Sequence, residues 1–103
     1  MSLETQYETK GSIFYIKIVG LMDYSTIDNF NVEIPEKITE IVVDFSALEF
    51  IDSTGIGAIL SIIYKAVDRG IVVEFVSLNE TVGELFDTVG VFRIIEALQK
   101  RGR

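Results

Sequence analysis

The chain contains neither cysteine nor histidine. Those two absences exclude disulfides, thiol redox chemistry, thiolate or imidazole metal sites, and every nucleophilic triad built on Cys or His. A long apolar run is missing as well. The longest apolar stretch, Ile56 to Tyr64, falls far short of the ~20 residues that a membrane span needs. The N-terminus carries no charged-then-apolar pattern, so a cytoplasmic protein without membrane insertion is the default expectation. Cations are scarce: net charge is −7, and the one local excess, Lys100, Arg101 and Arg103, lies at the C-terminal end. Binding of nucleic acid through phosphate contacts is therefore not expected. A single proline and 8 glycines argue against a disordered or low-complexity chain.

What remains is an ordinary globular composition, 49% hydrophobic and 24% charged over 103 residues. That length predicts a single domain, 1–103, able to bury roughly 60 to 65 per cent of its unfolded surface. No metal or cofactor is expected from the side chains present.

Along the chain, Glu4 to Thr9 is polar and β-capable, and Lys10-Gly11-Ser12 supplies a turn before Ile13 to Val19. An antiparallel hairpin follows, with Phe14, Ile16 and Ile18 facing the core and Tyr15 and Lys17 on the other side. Gly20-Leu21-Met22-Asp23 breaks that strand. Asp23 or Ser25 caps a short helix with Ile27 and Phe30 inward, held to about two turns because Asn29, Asn31 and Val32 are poor helix formers and Pro35 restricts Ile34. Glu40 to Ser46 reads as a largely buried strand, followed by a connector, Ala47 to Ile51, whose Leu48, Phe50 and Ile51 tuck under the sheet edge. Ile71 to Ser77 is a further, near-interior strand. Asn79 caps a helix from Glu80 to Val89 with Val82, Leu85, Phe86 and Val89 on one stripe and Gly90 closing it. Val91, Ile94, Ile95 and Leu98 continue a helical period, although Phe92 to Glu96 could form a last short strand. The order β-β-α-β-α-β-α-α predicts an α/β fold: a mixed sheet with an N-terminal antiparallel hairpin, right-handed parallel crossovers and about four helices packed on it.

The candidate site lies at Ile51-Asp52-Ser53-Thr54-Gly55-Ile56-Gly57-Ala58-Ile59-Leu60. Ile56, Ile59, Leu60, Ile63 and Val67 form an apolar stripe on a helix that Arg69-Gly70 ends. Ala58, Ile62 and Tyr64 fall on its less buried side. Asp52 or Ser53 is the N-cap, and free amides there carry the positive end of the helix dipole. Gly55 and Gly57 each cost about 1 kcal/mol of helix propensity relative to Ala. Two such losses in one turn predict either very close packing or the approach of another molecule beside Ser53.

Several chemical motifs come near and fail on spacing. Asp52-Ser53-Thr54-Gly55 has one residue too many for an aspartic protease, which also needs a second carboxylate. Gly55-x-Gly57-x-x-Leu60 lacks the third glycine of a dinucleotide fingerprint. No Gly-x-Ser-x-Gly elbow is present, and no His is available to activate Ser53, so catalysis by this chain is not expected.

With Phe-Ile-Asp-Ser-Thr-Gly-Ile-Gly at a strand-to-helix junction, Gly20-Leu21-Met22-Asp23 after the second strand and Glu84-Leu85-Phe86-Asp87 with Gly90 later, the chain resembles the STAS domain of bacterial anti-sigma-factor antagonists. The resemblance implies a binding protein, not an enzyme, whose serine after the aspartate is phosphorylated by a partner that is both anti-sigma factor and serine kinase. A PP2C-type phosphatase reverses the modification. Carried onto this sequence, the phosphoacceptor is Ser53, and the partner surface comprises Asp23, Asp52, Ser53, Thr54, Gly55, Ile56 and Gly57. Thr54 is a second, less favoured acceptor. The segment from Asp23 to Glu40 departs from the family in being shorter and less helical. A non-signalling STAS subunit of a larger assembly, such as a transporter's cytoplasmic component, is the alternative, and a small-molecule module at the glycine corner is a third.

Overall fold

A computed structural model describes residues 2–88, 90, 91, 93, 94, 96 and 97. Strands β1 (Leu3–Lys10), β2 (Ile13–Met22), β3 (Glu40–Ile51) and β4 (Val72–Val76) form one sheet in the order β1-β2-β3-β4. β1 and β2 are the expected hairpin, while β2–β3 and β3–β4 pair in parallel. Helix α1 (Ser53–Asp68) is the β3-to-β4 crossover and α2 (Glu80–Thr88) follows β4.

The hairpin alternates as its sequence demands, with Phe14, Ile16 and Ile18 buried and Ile13, Tyr15 and Lys17 partly exposed. The expected break at Gly20 does not occur. β2 runs on to Met22 and β3 to Ile51, and two register shifts absorb the irregularity, one of them beside Gly20 at φ +99. Glycine accepts that backbone, and a Cβ there would collide with the carbonyl of Ser2, so it acts as a bulge and not as a terminator. Ala47 to Ile51 is accordingly strand, not connector. Leu48 and Ile51 are buried as expected, whereas Phe50 points outward at 51% exposed.

β4 is the last strand of the sheet, so Glu74 lies exposed and Val72 is 41% exposed, correcting the expectation of an interior strand. Its inner residue Phe75 meets Phe45 edge-on at 5.1 Å between ring centroids, and Phe86 of α2 closes the group at 5.4 Å from Phe45. Asn79 caps α2 as expected, its Oδ1 accepting from the Val82 amide at 2.8 Å. Val82 and Phe86 are its buried residues. Beyond it, Val91, Arg93, Ile94, Glu96 and Ala97 are helical, the favoured of the two alternatives for that segment. Val89, Phe92, Ile95, Leu98 and the cations Lys100, Arg101 and Arg103 lie outside the described residues.

The segment from Asp23 to Glu40 holds one 3-10 turn, Ile27–Asn29, in place of the two-turn helix. Two α-helices are thus delimited among the described residues, not four. The segment still serves the core: Val32 and Ile38 are buried in the hydrophobic cluster, and Ile27, Phe30 and Ile34 pack against that cluster. Arg69 fixes it from the end of α1, its Nη1 and Nη2 donating to the carbonyls of Ile34 at 2.9 Å and Pro35 at 2.8 Å. Charge-assisted bonds to two consecutive carbonyls suit the planar guanidinium. Arg69→Met should lower stability by about 1–2 kcal/mol, read as a shifted urea midpoint at unchanged slope; an unmoved midpoint would mean that the clamp contributes nothing.

Candidate functional site

β2 and β3 are adjacent and parallel, so the segments that leave their C-terminal ends emerge at the same end of the sheet, the usual place for sites in α/β folds. Extension of both strands brings Met22 beside Ile51, and the Asp52 amide donates to the Met22 carbonyl at 3.1 Å. Asp23 and Asp52 therefore begin neighbouring loops.

Asp52 joins those loops. Its Oδ1 accepts from the Gly55 amide at 3.0 Å as the N-cap of α1, and its Oδ2 accepts from the Tyr24 amide at 3.3 Å. Between the two candidate caps the structure selects Asp52, which leaves Ser53 as the first helical residue. Ser53 is exposed, and among the described residues its Oγ has no hydrogen-bond partner. Thr54 is exposed as well.

Asp23 shapes the opposing loop. Its Oδ1 accepts from Ser25 Oγ at 2.6 Å, from the Ser25 amide at 2.9 Å and from the Thr26 amide at 3.2 Å. This is an Asx turn, not the predicted helix cap. Thr26, 5% exposed, closes it by donating from Oγ1 to the Leu21 carbonyl at 2.9 Å. The Ser25 hydroxyl, followed by the Ser25 and Thr26 amides, holds the Asp23 carboxyl below its usual range against the upward pull of partial desolvation. A depressed carboxyl stabilises the loop above its unfolded pKa, and that contribution is lost as pH falls through the lowered folded value. Acid titration followed by NMR should show the Ser25 and Thr26 amides moving together below the ordinary aspartate range. Titration of Asp23 at or above that range would contradict the assignment.

The two glycines separate. A Cβ on Gly55 would lie 2.5 Å from the Met22 carbonyl oxygen and 2.6 Å from Ile51 Cγ1, so this glycine answers to packing between helix and strand ends. Gly57 is exposed, with nothing within 4 Å of a built Cβ. Gly55 and Ile56 face inward, and the surface of the corner is made by Asp23, Asp52, Ser53, Thr54 and Gly57.

The outer face of α1 continues from there. Ile62, expected near the surface, is 3% exposed, because the buried face is centred on Ile59, Ile62, Ile63 and Ala66, with Leu60 and Val67 at its flank. Tyr64 is 52% exposed, and a shallow cavity of about 570 Å³ lined by Gly57, Leu60, Ser61 and Tyr64 runs along the helix. Tyr24, 78% exposed beside Asp52, was not singled out from the sequence. Its signal was the Asp-x-Ser-Thr pattern, which marks an Asx turn that sets out the residue between. Neither segment building the corner, 18–36 or 38–64, contains Lys or Arg. No group of three metal-capable side chains occurs among the described residues, and no helix among them is long and apolar enough to cross a membrane.

Comparison with known proteins agrees with this architecture. The family model for the STAS domain matches residues 4–101. A Paenibacillus polymyxa protein named anti-sigma F factor antagonist is 29% identical over 101 residues, covering 92% of this chain and 86% of that one. The solved structure of the anti-sigma factor antagonist SpoIIAA in its unphosphorylated form is similar with a TM-score of 0.62 at 18% identity, over 82% of each chain. An antisigma-factor antagonist STAS domain from Rhodobacter sphaeroides gives 0.67 at 21% identity, over 76% of this chain and 89% of that one. At such identities the structural likeness speaks for the fold, while the family model spans nearly the whole sequence: the chain belongs to the STAS domain family.

Proposed function

We propose that this STAS domain is an anti-sigma-factor antagonist switched at Ser53. Unmodified, it binds an anti-sigma factor that is also a serine kinase, and so frees a sigma factor. Phosphorylation of Ser53 by that partner ends the complex, and a PP2C-type phosphatase restores it. The domain itself acts by binding and catalyses nothing.

The observation that carries this reading is the exposed Ser53 hydroxyl, without a partner among the described residues, at the first position of α1 beside the Asp52 cap. A phosphate there adds about −1.5 to −2 charges. Free amides of the first turn and the helix dipole offset part of that charge within the domain. The corner segments offer no cation to it, and Asp23 and Asp52 are close by. A docked partner has to desolvate the phosphate, so the complex bears most of the cost. The names of the relatives support the role, and the bare surface around Gly57 and Tyr64 supports docking along α1.

The test is incubation with a cognate serine kinase of this type and ATP, followed by mass mapping of the modified residue. One phosphate on Ser53 is expected. Modification elsewhere, or none, would favour a non-signalling subunit of a larger assembly.

A further inference from the structure

Strands β2, β3 and β4 step in one direction, and successive right-handed crossovers in one direction fall on the same side of a sheet. The packing reflects this. α1 and α2 bury Ile59, Ile63, Val82 and Phe86 in a single cluster with Ile16, Ile41 and Val43. The alternate residues of the same strands stay outside that cluster, among them Ile13, Tyr15, Val42 and Val72. Val42 is only 9% exposed and yet stands outside that cluster. Its neighbours on the open face cover it: Tyr15 and Glu74 lie on either side in register, and the next row places Ile13, Glu40 and Val72 side by side. Leu21 and Phe50 extend the apolar surface toward the end of the sheet.

Parallel strands are normally covered on both faces, which is why they read as continuous apolar runs. Ile41-Val42-Val43 and Ile71-Val72-Val73 read that way, but among the described residues one face has no helix. Its charges indicate what covers it. Glu8, Glu40, Asp44 and Glu74 outnumber Lys10 and Lys17. Lys10 lies with its Nζ 5.7 Å from the Tyr15 ring centroid and 3.8 Å from Glu8, an internal example of a cation received by this surface. A second copy would bring a face with the same acidic excess against this one, and an anionic bilayer would be repelled.

We propose that this open sheet face docks a basic amphipathic helix of a partner protein, with its apolar stripe on Ile13, Tyr15 and Val72 above the buried Val42 and its Lys or Arg flanks on Glu40 and Glu74. The helix supplies the third layer of an α/β/α arrangement on a surface separate from the Ser53 corner.

The probe is a synthetic Leu/Lys peptide patterned as an amphipathic helix, titrated into the 15N-labelled full chain, with a scrambled peptide of identical composition as control. Amide shifts are expected to gather at Tyr15, Val42 and Val72, and the scrambled peptide should bind at least about fivefold more weakly, since only the patterned one presents a stripe. Glu40→Lys/Glu74→Lys should weaken binding at least about tenfold through two reversed contacts. Should that double variant fail to fold, Val72→Glu at the sheet edge must show the weakening instead. Shifts gathered on α1 or the Ser53 corner, equal binding of the scrambled peptide, unchanged affinity after charge reversal, or dimerisation of the free chain through this face would each overturn the proposal.

Discussion

Ser53→Asp is expected to weaken the proposed complex with an anti-sigma kinase more than a hundredfold, whereas Ser53→Ala should stay within about threefold of the parent; the difference amounts to about 3 kcal/mol. Alanine removes a hydroxyl that has no hydrogen-bond partner among the described residues, and the cap of α1 belongs to Asp52, so neither the helix nor the loop loses a bond. Aspartate puts a carboxylate at a helix N-terminus, where the dipole favours it by about 0.3–1 kcal/mol. The Asp variant should therefore unfold no more readily than the parent. Loss of binding without loss of stability is the signature of charge acting on the interface. Calorimetric titration of both variants against the kinase decides it, and equal affinities would remove the charge mechanism.

Gly55→Ala should destabilise the domain by about 3 kcal/mol, at the upper end of the usual cost of overpacking. The new methyl would meet the backbone oxygen of Met22 at 2.5 Å, and that atom is held by the Asp52 amide and cannot step aside as a side chain would. For a domain of this size the loss corresponds to a fall in melting temperature of about 15 °C. Gly57→Ala should do the reverse, gaining about 0.5–1 kcal/mol from helix propensity because its methyl meets nothing. Paired urea denaturation curves would show the two variants moving in opposite directions; a common direction would mean that the first turn of α1 is not packed as described.

Those glycines show what could be read from the sequence. Both are visible as costs in a helix, but only the strand ends reveal that Gly55 answers to close packing and that a Cβ on Gly57 would meet nothing within 4 Å. The hairpin, the cap at Asn79, a cap at either Asp52 or Ser53 and the inward face of β2 follow from local chemistry and were legible, with the structure choosing Asp52. Register was not: Gly20 looks like a terminator until Ser2 and β3 are in place around it, which is why Ala47 to Ile51 reads as a connector. The position of Ile62 depends on how α1 is rotated over the sheet, a tertiary fact with no local signal. At the candidate site, local chemistry marks Asp23 and Asp52 singly, and only the family resemblance groups them on one surface. Their meeting through Tyr24 spans 28 residues and needs the parallel pairing of β2 with β3.

The hairpin also governs how the molecule behaves when concentrated. β1 is a terminal strand, the kind of rim along which sheets of separate molecules zip together into fibrils. Here Glu4 and Glu8 lie exposed along it on either side of Gln6, so a neighbour adding its own first strand in antiparallel register would bring carboxylate against carboxylate at both. A chain that is nearly half hydrophobic thus keeps its most inviting hydrogen-bonding edge closed to copies of itself.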